Sequence, residues 1–182
     1  MSTTTAVANT WVIDPAHSRA EFKVKHMMIS NVKGSFSGVS GTLAEYALQP
    51  SLGHVDAAID ISTLNTGDDK RDAHLKSADF FAVESYPQMT LKSTDIKKIS
   101  AQEFSVTGDL TLHGVTKAVT FAVDGASEPT KDPWGNTRIG LSATSKINRK
   151  DFGLVWNAAL ESGGVLVGED VQISLDVQFL KS

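Results

Sequence analysis

The stretch 170–181, DVQISLDVQFLK, alternates without a fault as far as Phe179. Val171, Ile173, Leu175, Val177 and Phe179 share one face, and Gln172, Ser174, Asp176 and Gln178 share the other. A period of two is the strand period, because successive side chains leave a pleated backbone on opposite sides. The same period recurs along the chain. Phe22, Val24 and His26 oppose Glu21, Lys23 and Lys25. Val55, Ala57, Ile59 and Ile61 fall together, as do Met89 with Leu91, and Phe104, Val106, Leu110 with Leu112. Ile139, Leu141, Ala143 and Ile147 oppose Ser142, Thr144 and Lys146. Strict alternation gives each strand one apolar and one wet face, the pattern of an antiparallel sheet rather than of doubly covered parallel strands. Turn-forming clusters such as KGSFSGVSG, LHGVTK, KDPWGN, ESGG and VGED punctuate the runs. Roughly eight one-faced strands can hide their apolar faces only by stacking as a sandwich or closing into a barrel.

One segment departs from this rhythm. TGDDKRDAHLKSADFFAVESYP lacks alternation, and its spacing predicts one or two short helices over about residues 68–85. Asp68 and Asp69 suit a helix N-terminus, where carboxylates meet the positive dipole end. Leu75, Ala78 and Phe81 follow helical spacing, and Tyr86-Pro87 stops the run. The pair Phe80-Phe81 is expected to plug an apolar opening. No boundary or repeat divides the chain, so residues 11–182 read as a single domain behind a flexible segment over residues 1–10.

Composition narrows the function classes. A net charge of −4 gives no concentrated basic face for nucleic acid or for a polybasic membrane anchor. The absence of cysteine removes disulfides, thiol nucleophiles and thiolate metal sites. The N-terminus, MSTTTAVANTWVID, lacks a basic region followed by a long apolar one, so it does not read as a signal peptide, and a cytoplasmic location is expected. No apolar run approaches the roughly 18 residues of a membrane-spanning helix.

Several polar constellations could carry chemistry. DPAHS holds Asp14, His17 and Ser18, but triads are usually assembled from distant segments, and no G-x-S-x-G elbow occurs. The 5 histidines show neither H-x-H nor H-E-x-x-H spacing, so no metal site is expected. His26 shares the parity of Phe22 and Val24, which makes it either a satisfied core histidine or a polar marker inside a ligand cavity. NRKDFGLVW sets Arg149 and Asp151 beside Phe152 and Trp156, either as a solvated turn or as the polar rim of a cavity. His113, in LTLHGVTK, falls where the alternation changes parity. It reads as a turn residue held by hydrogen bonds rather than as a ligand contact.

Five separated stretches in order, WVIDPAHSRAEFKVKHMMISNVKGSF, ADFFAVESYPQMTL, TGDLTLHGVTKAVTF, INRKDFGL and VGEDVQISLDVQF, resemble the YceI-like family of bacterial lipid- or polyisoprenoid-binding proteins. The resemblance runs from Trp11 to about Lys181. It implies an all-β fold, an extended eight-stranded antiparallel lipocalin-like barrel around a long apolar tunnel, with helical elements near one end. It also implies a non-catalytic role in binding, transport or storage of a long-chain isoprenoid, such as a polyprenyl phosphate or quinone tail, or of a similar fatty-chain lipid. Many members carry a signal peptide and are periplasmic; this sequence departs from them.

On that basis the tunnel lining is expected from Phe22, Val24, His26, Phe36, Ile59, Phe80, Phe81, Met89, Val106, Leu110, Leu112, Phe121, Ile147, Phe152, Trp156 and Leu175. The rim or head-group contacts are expected from Arg149, Asp151 and His17. No cofactor, metal or catalytic residue is required. The expected partner is the lipid itself, with no nucleic acid and no integral membrane segment, and a homodimer is left open. The competing expectation is a small barrel hydrolase or isomerase using His17, His26 or His113 with Asp14, Asp151 or Arg149.

Overall fold

A computed structural model of the chain describes residues 8–45, 51 and 53–182. The alternating runs become strands: β1 (Asn9–Ile13), β2 (Arg19–His26), β3 (Ser30–Phe36), β4 (Val39–Glu45), β5 (His54–Asp60), β6 (Gln88–Lys98), β7 (Phe104–Leu112), β8 (Val115–Asp124), β9 (Thr130–Lys131), β10 (Thr137–Asn148) and β11 (Val167–Lys181). One α-helix, α1 (Asp69–Lys76), lies between β5 and β6, and 3-10 turns occupy Pro15–His17, Ile61–Thr63 and Arg149–Phe152. Neighbouring strands run antiparallel in the order β3-β2-β11-β1-β4-β5-β6-β7-β8-β10-β9, and a further pairing of β10 with β11 closes the sheet on itself.

Two strands are bent rather than ended. β11 pairs along one edge with β2 through residues 171–176 and with β1 through residues 179–181. The break between β1 and β2 falls at Pro15, which has no N–H to give a ladder. There the Asp14 carboxylate accepts the Ala16 N–H at 3.0 Å instead. The facing break, between β3 and β4, falls at Gly38, where a Cβ would stand 2.9 Å from Asp60 and Thr63 carbons. With β1–β2 and β3–β4 each taken as one bent strand, and the two-residue β9 set aside as an edge piece paired with β10 alone, the ring is a closed antiparallel barrel of eight.

The helical segment is shorter than its spacing predicts. Asp68 caps α1 by accepting the Arg71 N–H at 2.9 Å, but the helix stops at Lys76. Ser77 ends it: its N–H and its hydroxyl both donate to the His74 carbonyl, at 3.1 and 2.6 Å. Ala78 and Phe81 therefore sit in the tight turns that follow, where Ala82 is left-handed at φ 48. Ile61 does not continue β5. It opens a 3-10 turn capped by Asp60 and is fully buried. Of the flexible segment expected over residues 1–10, residues 1–7 lie outside the described residues, and Asn9 and Thr10 already pair with Glu45 and Ala44. Among the described residues no helix is long and apolar enough to cross a membrane.

A charged staple crosses the outside of the wall. Arg138 on β10 donates to Asp14 at 2.6 Å and to Asp132 at 2.7 Å, tying the β1–β2 bend to the β9–β10 turn over the top of β11.

Candidate functional site

Two cavities lie inside the ring, and Ala57, Leu91, Phe121 and Leu175 belong to the walls of both. They form the waist of an interior that runs from the helical end of the barrel, which also carries the β2–β3 and β7–β8 turns, to the end at the β6–β7 hairpin, the hairpin end. The helical-end chamber has a volume of about 170 Å³, and no polar atom faces into it. The hairpin-end chamber, about 310 Å³, has Glu45, Lys98 and Glu128 in its wall beside its apolar residues.

The helical-end chamber follows from strand parity plus one local device. Phe22 on β2 faces Gly34 on β3 directly, and a Cβ on Gly34 would meet the Phe22 ring at 2.3 Å. Glycine is what lets that ring fold over the neighbouring strand. The ring continues a chain of aromatic contacts, Phe22 to Phe36 at 5.8 Å and Phe36 to Phe81 at 6.0 Å, the latter edge to face. Val24, Ile59, Met89, Leu110, Leu112, Ile147, Phe121 and Leu175 complete the strand wall, and Phe80, Phe81 and Leu75 close it from the helical segment. Phe80 is pinned from outside by His74 at 5.1 Å and Trp156 at 5.2 Å. Val106 belongs to the hairpin-end chamber.

Five of the residues expected in the lining or rim sit elsewhere. His26 keeps the inward parity of Val24, but β2 ends there, opposite Ser30 and Val167, and although Val167 belongs to the chamber wall His26 does not. Phe152 is solid core, 1% exposed. Trp156 forms an outer layer over Phe80. Its ring stands edge-on to His74 at 4.8 Å, and it is absent from the wall. His17 lies on the outer surface, 55% exposed, with Nδ1 2.8 Å from the Asp14 carboxylate in the staple region. Asp151 is exposed on the turn that follows β10.

Arg149 needs a correction of a different kind. It touches the helical-end chamber, yet it is 4% exposed and not a rim group. Its guanidinium donates to the carbonyls of Leu154 at 2.6 Å, Gly168 at 2.8 Å, Trp156 at 2.9 Å and Val167 at 3.2 Å. Guanidinium has five donor hydrogens, so most of its capacity is spent on backbone. Burial pushes its pKa down from the ordinary arginine value, and the nearby Glu169 charge opposes that. The side chain acts as a buried cross-link between the 149–157 segment and the start of β11.

The polar clusters do not assemble catalytic geometry of the expected kinds. Asp14 and His17 do pair, but the Ser18 hydroxyl is engaged with Gln178, donating to its carbonyl at 3.3 Å and accepting its N–H at 3.1 Å. The hydrogen bonds from Arg138 and then from His17 hold the Asp14 carboxyl down to about 2, against the opposing effect of burial. For Asp132 burial pushes upward, but Arg138 and Asn136 outweigh it and hold the carboxyl far below the usual range. His113 occupies the β7–β8 turn at φ 54, with Nδ1 3.2 Å from the Phe152 carbonyl and its ring edge-on to Tyr86 at 5.0 Å. It is a turn anchor, as its position in the sequence suggests. No group of three His, Asp or Glu able to hold a metal occurs among the described residues.

The expected lining left out much of the hairpin-end chamber. Ile139, Leu141, Ala143, Val177 and Phe179 face into it. Their parity is plain in the sequence, but parity cannot tell a wall from a filled core. Leu75, Leu154 and Val167 were also missed, because they come from non-alternating segments or strand ends.

The family model for the YceI-like domain matches residues 11–179. A UPF0312 protein of Staphylococcus aureus (strain bovine RF122 / ET3-1) is 38% identical over 174 residues, 93% of this chain and 96% of that protein. The YceI protein of Campylobacter jejuni superposes with a TM-score of 0.70 at 30% identity, covering 87% of this chain and 90% of that one. BcnA of Burkholderia cenocepacia superposes at 0.79 with 22% identity, over 91% of this chain and 98% of that one. A polyisoprenoid binding domain from Saccharophagus degradans, implicated in plant cell wall breakdown, superposes at 0.67 with 16% identity, over 97% and 100%.

Proposed function

The chain belongs to the YceI-like family, and from that premise we propose that it is a non-catalytic carrier of a long-chain isoprenoid or similar amphiphilic lipid, held along the inside of the barrel. The observation that carries the reading is the helical-end chamber, a cavity lined chiefly by aromatic and aliphatic side chains with no polar atom facing in. A dry apolar cavity cannot be filled profitably by water. It can be filled by hydrocarbon. At about 0.8 kcal/mol per buried CH₂, one isoprene unit contributes roughly 3–4 kcal/mol gross. A few units exceed the association cost of about 4–15 kcal/mol. Affinity then comes from the tail, and head-group selectivity is loose. The Saccharophagus domain described as polyisoprenoid binding shares this fold, which supports the same cargo class here.

The test is extraction of the purified protein with organic solvent followed by mass spectrometry, with titration of a fluorescent polyprenyl probe. The expected result is a co-purifying long-chain amphiphile and saturable probe binding. Absence of both sinks the carrier reading.

A further inference from the structure

The β2–β3 hairpin breaks a local rule. Its turn is closed by the Ile29 N–H donating to the His26 carbonyl at 3.2 Å, and both central residues are left-handed, Met27 at φ 51 and Met28 at φ 62. Such turns strongly favour Asn-Gly, because a side chain at positive φ is strained. The β7–β8 turn follows the rule at its second position, with Gly114 after His113. The β2–β3 turn carries a methionine at both. It also leaves apolar surface in water: Met27 is 41% exposed, Met28 59% and Ile29 79%. Strain and exposed hydrocarbon at one tip are two costs, against which the fold sets the Met27 N–H bond to the Leu166 carbonyl at 2.8 Å and the approach of Met28 to Gly164. Backbone strain of this kind clusters at functional sites.

Behind the tip the outer face of the same hairpin is net cationic, with Glu21, opposite Ser35, as its acid at the far end. Lys23 and Lys33 stand directly opposite each other across the strands, and Lys25 lies one pleat nearer the tip. Like charges in that register are destabilising. None of the three lysines makes an ion pair among the described residues, whereas Lys146 and Lys150 nearby are paired with Asp170 and Glu169. The net charge of −4 conceals this local excess. The neighbouring loop 157–166 adds one acid, Glu161.

We propose that the β2–β3 hairpin docks the protein on an anionic lipid bilayer, with Met27, Met28 and Ile29 entering the acyl boundary and Lys23, Lys25 and Lys33 meeting the head groups. Strand rise sets the distances. Lys25 lies about 10 Å behind Met28 and the Lys23–Lys33 pair about 7 Å further back. With a tip buried about 5–10 Å, Lys25 reaches the head groups and the pair stands within about one Debye length of the surface. Val24 and Val167, beside the hairpin's base, are wall residues of the helical-end chamber. Docking therefore sets the dry end of the barrel against the bilayer. Three lysines give weak, reversible attachment, suited to an encounter rather than an anchor.

The experiment is co-sedimentation of the native protein with vesicles of phosphatidylglycerol or of phosphatidylcholine alone. The native protein should bind the anionic vesicles only and be released at about 0.5 M salt. The double substitution Met27→Asn, Met28→Gly suits the turn better, so it should fold at least as well while lowering vesicle binding about tenfold. Lys23→Gln with Lys33→Gln should lower it by about fivefold per lysine and flatten the salt dependence. Trp134→Ala, which removes an 81% exposed aromatic at the opposite end of the barrel, should leave it unchanged. No vesicle binding by the native protein, undiminished binding by the Asn-Gly variant, or loss in Trp134→Ala overturns docking through this hairpin. Polyprenyl-probe binding, measured in parallel without vesicles, keeps the carrier reading separate: either can fail while the other stands.

Discussion

The two ends of the barrel are built from the same alternating strands but closed by different physics. At the hairpin end the chamber wall is mostly strand, completed by Gly53, Ala101 and the 126–129 segment, charged side chains enter it, and the outer surface is held by the Asp14–Arg138–Asp132 staple. At the helical end the non-strand segments α1, 77–87 and 149–157 fold in, and the closure is held by one buried cation on four backbone carbonyls. Alternation alone makes a wall. A dry chamber needs irregular segments that can bring Phe80, Phe81, Leu75 and Leu154 across the opening, and those segments need their carbonyls satisfied.

Arg149 is therefore the place where the comparison breaks most sharply. Arg149→Met keeps much of the volume and strands four carbonyls, so it should cost about 3–5 kcal/mol in denaturant unfolding. Arg149→Lys should recover little, since one ammonium cannot reproduce the planar fork. A loss under about 1 kcal/mol would mean that the helical end is held by packing alone.

The waist gives the next largest effect. Ala57 belongs to both chambers, and Ala57→Phe should divide them. Overpacking costs about 1–3 kcal/mol. The informative readout is chain length: binding of short isoprenoid probes should survive, and that of long ones should fall. Equal loss at every length would mean that the cargo uses one chamber only.

How much of this was legible beforehand follows the same division. The strands, their inward faces and the closed barrel were readable because period two is a direct record of which face is buried. Phe22, Phe36 and Leu110 could be assigned to the interior for that reason. The helical end could not be read so closely. Ser77 stops α1 by a hydroxyl–carbonyl bond that no periodicity records. Arg149 looked like a rim residue because a lone arginine beside aromatics is ordinarily solvated, and its four carbonyl partners come from 154, 156, 167 and 168, a loop closure invisible in the sequence. His26 kept its parity but lost its place in the wall, since parity does not say where a cavity ends.

Acid should separate the two ends. Asp14 titrates at about 2 in the folded protein, against about 3.9 unfolded. Its folded value is depressed, so its contribution is fully present above about pH 4 and is lost as pH falls through about 2, an effect of order 2 kcal/mol. Asp132, shifted in the same direction, acts with it. The Arg149 cross-link loses nothing over that range. Hydrogen exchange between pH 4 and pH 2, corrected for intrinsic rates, should show amides of β1 and the start of β10 losing protection before those of β7 and the end of β10. Asp14→Asn should flatten the difference.

The smallest effect concerns His113, whose imidazole reaches the Phe152 carbonyl and so ties the β7–β8 turn to the helical-end closure. His113→Ala removes that bond and puts alanine at positive φ, so a loss of about 1–2 kcal/mol is expected. His113→Asn should lose less, because asparagine tolerates the left-handed region. Neither should change polyprenyl binding in the folded protein, since the imidazole is no part of either chamber wall. The neighbouring glycine is the stricter position. A Cβ at Gly114, already at φ 73, would meet the Tyr86 ring at 2.7 Å. Gly114→Ala should therefore cost more than His113→Asn. The reverse order, measured by thermal unfolding at constant pH, would show that the hydrogen bond to Phe152, rather than the backbone of the turn, fixes this corner of the closed end.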